Sequence, residues 1–277
     1  MGGNELIKEW LESRKNTFTE RAKELGVDPA RGLLLIGIPG TGKSLTSKIV
    51  ASVWQRPLLR LDLGRIKDKY VGESEGKIRD VLNMADTIAP CILWIDEIEK
   101  SFSGSSGGDS HEVTKSILAT LLTWMEEHTS DVFVMATANA ANTIPEELLD
   151  RFEQTFWVDL PDDQQRAEII NIHLKKKKKN PADFASKMTQ LVEASKGANG
   201  RGIRNWINEA NVYALNKGHK MGADDLLATT HKVKVFSETQ TIRDRRAWAS
   251  QQGIENASAR HTEEISERST SRKIQRT

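Results

Sequence analysis

The octapeptide GIPGTGKS, residues 37–44, constrains the fold of this 277-residue chain more than any other stretch. It fits G-x-x-x-x-G-K-[ST] and lies between an apolar run, GLLLIGI (32–38), and a helical pattern, SLTSKIVASVW (44–54). A short continuous apolar run closed by glycine and proline reads as a buried parallel strand. Strand, glycine loop and helix in that order turn backbone N–H groups and a helix N-terminus toward a triphosphate. The candidate binding element is therefore Gly37, Ile38, Pro39, Gly40, Thr41, Gly42, Lys43, Ser44 and Leu45. The glycines let the backbone wrap closely. Lys43 brings a cation to the β and γ phosphates, and the Ser44 hydroxyl can hold Mg²⁺. The implied cofactors are a nucleoside triphosphate and Mg²⁺.

A second apolar run, CILWIDE (91–97), ends in two carboxylates. As a partner strand it delivers both acids to the C-terminal edge of the sheet, beside the phosphate loop. Asp96 is then a Mg²⁺ ligand through water, alongside Ser44, and Glu97 orients or deprotonates an attacking water.

The remaining pattern extends this frame. RPLLRLDL (56–63), DVFVMATAN (131–139) and QTFWVDL (154–160) read as further strands. Helical stretches alternate with them: one from Asn4 to about Gly26, one over 74–89 with Ser74 as its cap, and one from about Glu112 to His128. Strand alternating with helix predicts an open parallel sheet covered by helices on both faces. Beyond Pro161 the strand signals stop, and four helical segments over 162–174, 183–195, 202–218 and 223–233 predict a small all-helical domain. The division is 1–160 for the α/β core, 161–235 for the helical domain and 236–277 for a polar tail. TIRDRRAWAS in that tail allows a helix, and its end from about Ser258 is too polar to fold alone. KKKKK (175–179) is the charge block.

Composition sets limits on function. With 38% hydrophobic and 29% charged residues the chain has ordinary globular proportions. A formal charge of +1 gives no global pull toward nucleic acid or anionic membrane. One cysteine, Cys91, excludes an internal disulfide and a cysteine-cluster metal site. No apolar run approaches the roughly 20 residues of a membrane helix, and MGGNELIKEW lacks a signal-peptide core. A cytoplasmic location, or a plastid stroma, is expected.

GIPGTGKS as Walker A, ILWIDE as Walker B, ATAN and the RF pair at 151–152 follow one another in an order that resembles the AAA ATPases of the AAA+ superfamily. RGLLLIGIPGTGKSLTSKIVA, LLRLDLGRI, VGESEGKIR, APCILWIDEIEKSFSG and VFVMATAN are similar, more narrowly, to the ycf-type AAA proteins of cyanobacteria and plastids. The likeness runs over roughly residues 2–255 and leaves out the N-terminal half that those proteins carry. It implies a P-loop NTPase sheet followed by an AAA lid. It also implies Asn139 as sensor 1, His173 near the adenosine, and Gly200 and Arg201 in the sensor 2 segment. Arg151 aligns with an arginine finger that reaches the neighbouring subunit's nucleotide. Gln154 stands where the family pattern has a second arginine, and the loop before Arg151 is shorter than in that pattern.

KYVGESEG (69–76) resembles the family's pore loop, in which an aromatic and an aliphatic residue precede glycine. Tyr70 and Val71 would then grip an extended polypeptide in the channel of a ring, expected to be a homohexamer, and Gly72 would let the loop move. The resemblance thus implies an ATP-hydrolysing ring that remodels or threads a protein client. Two other functions are compatible with the residues. One is a nucleotide-dependent switch or scaffold with slow hydrolysis, to which Gln154 and the shortened loop point. The other is a DNA-acting loader or transposition-helper ATPase, for which the lysine run leaves room. Nucleic acid is the less favoured partner, because no base-reading motif appears.

Overall fold

The computed structural model describes residues 2–67, 71–102, 108–140, 143–235 and 240–258. Two compact units emerge. One takes Glu5–Gly37, Lys43–Trp157 and the described residues from Arg245 on; the other takes the described residues up to Asn4, Ile38–Gly42 and Val158–Asp244.

The first unit is built on a sheet of strands β1 (Gly32–Gly37), β2 (Leu58–Leu61), β3 (Cys91–Ile95), β4 (Val132–Ala138), β5 (Gln154–Val158) and β6 (Glu255–Asn256). Their spatial order is β2-β3-β4-β1-β5-β6. The pairs β1–β4, β2–β3, β3–β4 and β5–β6 are parallel. Strands β1, β3 and β4 are buried along their whole length, which explains why they carry no polar alternation. The edge strand β2 is only partly buried. Nothing in the polar tail reads as a strand, yet β6 extends the sheet there, with Phe156 opposite Glu255. Two residues held by backbone bonds leave no side-chain periodicity to detect.

The helices around this sheet are α1 (Glu5–Arg14), α2 (Glu20–Glu24), α3 (Lys43–Trp54), α4 (Leu63–Lys67), α5 (Val71–Ile88), α6 (Gly108–Glu127) and α7 (Glu146–Leu149). The N-terminal segment is two helices rather than the single one expected from Asn4 to Gly26. Thr17 explains the break. Its hydroxyl donates to Arg14 O (2.9 Å) and accepts from Ala30 N (3.0 Å), and a side chain so engaged competes with helical backbone bonds. Trp10, Phe18 and Trp54 gather on Phe133 of β4, the Trp54 ring centroid lying 4.8 Å away. Ser74 is not a helix cap as expected. It sits inside α5, buried, and its hydroxyl donates to Ile66 O (2.8 Å), tying α5 to α4.

The second unit contains α8 (Asp163–Lys176), α9 (Met188–Ala194), α10 (Gly200–Asn216) and α11 (Ala223–Ala228); α12 (Gln240–Gln251) follows. A 3₁₀ turn, Pro181–Lys187, precedes α9 where a continuous helix was expected. Asp162 and Gln165 form a capping box that starts α8. The core of this unit is Ile170, Leu174, Phe184, Leu191, Trp206 and Ile207, with their buried neighbours. The Trp206 indole meets its hydrogen-bonding need by donating to Leu226 O (3.1 Å). Among the described residues, no helix is long and apolar enough to cross a membrane.

Candidate functional site

Register within the sheet places the acids. Ile95 of β3 is opposite Ala136 of β4, so the next residues, Asp96 and Thr137, stand abreast at the C-terminal edge. Asp96 Oδ1 accepts from Thr137 Oγ1 (2.8 Å) and from Ser44 Oγ (2.7 Å) at the start of α3. Its other oxygen faces Arg60 Nη2 at 3.4 Å. Glu97 follows with φ 52 and ψ 52, left-handed backbone that an ordinary side chain disfavours. The Thr137 hydroxyl anchors it, accepting from Glu97 N at 3.0 Å. Asn139, just past β4, donates its Nδ2 to Glu97 Oε1 (3.1 Å) and its backbone N–H to Glu99 Oε1 (3.0 Å). Burial pushes the Glu99 carboxyl above the usual range.

Lys43 opens α3 and is only 6% exposed. Its Nζ donates to Gly37 O at 2.9 Å, back toward the end of β1. Burial outweighs the attraction of Glu99, Glu97 and Asp96 and pushes the ammonium down to about 8. The first unit thus gathers Lys43, Ser44, Asp96, Glu97, Thr137 and Asn139 in one cluster. It contains a cation, two hydroxyls, two acids and an amide, the functional groups that phosphoryl transfer to water calls on. The donor set also fits Mg²⁺, which binds through one or two protein oxygens and otherwise through phosphate and water. Ser44 and Asp96, already sharing a hydrogen bond, would hold it.

The crest of the glycine loop, Ile38–Gly42, belongs to the helical unit. Ile38 N donates to Val158 O (3.1 Å), and Thr41 Oγ1 donates to Ile38 O (2.8 Å). Asn199 caps α10 by accepting from Gly202 N (2.7 Å) and donates its Nδ2 to Pro39 O (2.6 Å). Arg201 N donates to Gly40 O at 3.2 Å. Gly40 must be glycine on two counts: φ is +80°, and an added Cβ would come within 2.4 Å of Asn199 Nδ2. Gly200 and Arg201 therefore do adjoin the loop through their backbone, whereas the Arg201 side chain is exposed. Leu45 is likewise exposed.

Of the other residues expected near the site, Arg151 and Gln154 have partners of their own. Arg151 follows α7 and pairs with Glu126 Oε2 at 3.0 Å. Gln154 begins β5 and reaches Glu255 Oε2 at 3.5 Å. His173 lines a groove of about 650 Å³ between α8 and α10, with Lys176, Lys177 and Arg204. Burial, then those three cations, push its imidazole down to about 4, so it is neutral at pH 7. Tyr70 lies outside the described residues, and Val71 begins α5.

Thr137, Glu99 and Asn199 escaped the sequence reading although they organise the site. Thr137 had a signal, a lone hydroxyl in an otherwise apolar strand. Asn199 had another, an asparagine and glycine heading a helical pattern. Glu99 had none, because a third acid after two others reads as surface.

A family model described as ATPase family associated with various cellular activities (AAA) matches residues 33–160. An AAA domain-containing protein, ycf46, of Guillardia theta is 40% identical over 263 residues, which is 93% of this chain and 52% of the relative. The chain thus spans about half the length of that relative. A cell division cycle protein 48 homolog of Archaeoglobus fulgidus is 34% identical over 210 residues, covering 74% of this chain and 28% of the homolog. The solved AAA domain of FIGL-1 in complex with ADP superposes with a TM-score of 0.76 at 21% identity, over 90% of this chain and 88% of that one, a likeness of fold. Parallel sheet, glycine loop and acidic strand end agree with these matches, and residues 33–160 of the chain are an AAA module.

Proposed function

We propose that the chain binds ATP with Mg²⁺ on the loop Gly37–Leu45 and hydrolyses it, Glu97 activating the water and Asn139 orienting it. The observation that carries this reading is the convergence of Lys43, Ser44, Asp96, Glu97, Thr137 and Asn139 at one sheet edge. Subunits assemble in a ring of six, Arg151 completes the neighbour's site, and the ring works on a protein client in the cytoplasm or a plastid stroma. Residues 1–160 form the core of this machine, 161–235 its lid and 236–277 its tail. ATPase assays with an unfolded protein and with DNA test the client class. Stimulation by unfolded protein supports the reading; stimulation or salt-dependent binding by DNA alone would replace the client with nucleic acid.

A slow nucleotide switch is the second reading. The Arg151–Glu126 pair and Gln154 favour it, because a finger engaged within its own subunit reaches no neighbour. Single-turnover and steady-state rates of the assembled protein separate the two readings.

The buried lysine provides a pH test. Lys43 loses its proton at about 8 in this conformation, but facing a triphosphate it must be charged. Nucleotide binding at about pH 8.5 should therefore take up roughly three quarters of a proton, and affinity should fall as pH rises further. Calorimetry in two buffers of different ionisation enthalpy measures this. Identical heats in both buffers would detach Lys43 from the phosphates.

Tyr70, as a pore residue, should tolerate Phe and Trp but not Ala, since the grip needs a flat apolar face. Tyr70→Ala should keep basal ATPase within about twofold and lose client stimulation. A lowered Tm with every activity reduced together would mark a packing tyrosine instead.

A further inference from the structure

Besides Arg60, which faces Asp96, a second basic side chain outside the phosphate loop reaches the acidic cluster directly. Lys100 Nζ forms an ion pair with Glu97 Oε2, while Asn139 Nδ2 holds the other oxygen at 3.1 Å. A general base must present an oxygen to the water it activates. Here an amide occupies one oxygen and an ammonium the other.

The backbone accounts for the contact. Ile98–Ser101 is a 3₁₀ helix with Glu97 at its N-cap, and Lys100 N donates to Glu97 O at 2.9 Å. With three residues per turn, positions i and i+3 eclipse, so the turn lays Lys100 over Glu97. The left-handed conformation of Glu97, fixed by Thr137, sets the carboxylate where both partners meet it. Lys100 has no other carboxylate within ion-pair distance among the described residues. The Glu97 partner raises the pKa of its ammonium, so it stays charged at neutral pH.

We propose that Lys100 is a positioning residue that latches Glu97 away from the attacking water, and that opening of this ion pair gates hydrolysis. The proposal rests on the reading of Glu97 as the water-activating group. Exposure suits a latch. The Lys100 side chain is 63% exposed and that of Glu97 39%, so the pair is screened and exchangeable rather than locked. An incoming anion, such as a γ phosphate or a carboxylate of the next subunit, can draw the ammonium away and free Oε2.

The test measures kcat and KM for ATP on the full chain and on Lys100→Met and Lys100→Arg, each with Glu97 intact and with Glu97→Gln. Lys100→Met should raise kcat about three- to fivefold, the range that a screened ion pair allows. Its KM should stay within about twofold, because nucleotide binding does not involve the latch. Lys100→Arg should remain near the parent, since a guanidinium can still pair with the carboxylate. In the Glu97→Gln background Lys100→Met should change nothing. An unchanged or lower kcat for Lys100→Met at unaltered Tm overturns the latch while leaving Glu97 in its role. Parent-like turnover in Glu97→Gln alone removes that role, and the latch with it. Lys100→Gln serves as a second uncharged variant if methionine lowers Tm.

Discussion

Glu97→Gln is expected to lower ATP turnover about a hundredfold or more while nucleotide affinity stays within a few-fold of the parent. The amide matches the carboxylate in shape, so its oxygen can still accept from Asn139 Nδ2, and the Glu97 N–H to Thr137 bond is untouched. Only the capacity to take a proton is lost. The side chain is partly exposed and its partner Lys100 more so, and breaking such a pair alters stability by at most about 1 kcal/mol. Turnover at saturating ATP, nucleotide affinity and Tm on one preparation decide the matter. A variant that hydrolyses at the parent rate would move water activation elsewhere, with Glu99 the nearest alternative.

The second large effect is expected at Arg151. An arginine that stabilises transition-state charge across an interface is worth about 10³-fold or more. Arg151→Ala should therefore lower kcat by about that factor in the assembled protein, and change the affinity of a single subunit for ATP little. Among the described residues Arg151 forms the exposed pair with Glu126, so Tm should move little. Mixing Arg151→Ala with Lys43→Ala subunits gives the sharper check. Some mixed interfaces then combine an intact finger with an intact phosphate loop, and activity should return. Mixed assemblies that stay inactive would place Arg151 outside the site.

The central sheet and the phosphate loop were legible in the sequence because each depends on local pattern. GLLLIG, CILWI and VFVMATA are apolar at every position, and only strands buried on both faces use such runs. The loop needs glycine at left-handed positions, and Gly40 and Gly42 stand at φ +80° and +104°. Elements held by backbone or by distant side chains were not legible. Strand β6 is two residues with no apolar signature, and the α1–α2 break turns on a Thr17 bond to Ala30. In the site, the motif spacing named Lys43, Ser44, Asp96 and Glu97 individually, and the family resemblance implied Asn139. Only the β3–β4 register set Thr137 beside Asp96, and only the 3₁₀ turn laid Lys100 over Glu97. Sequence alone determined which groups are present and the elements that carry them, since periodicity and glycine requirements act over a few residues. Tertiary structure decided which groups meet, because strand register and helix phase bring together residues whose separation along the chain carries no trace of the contact.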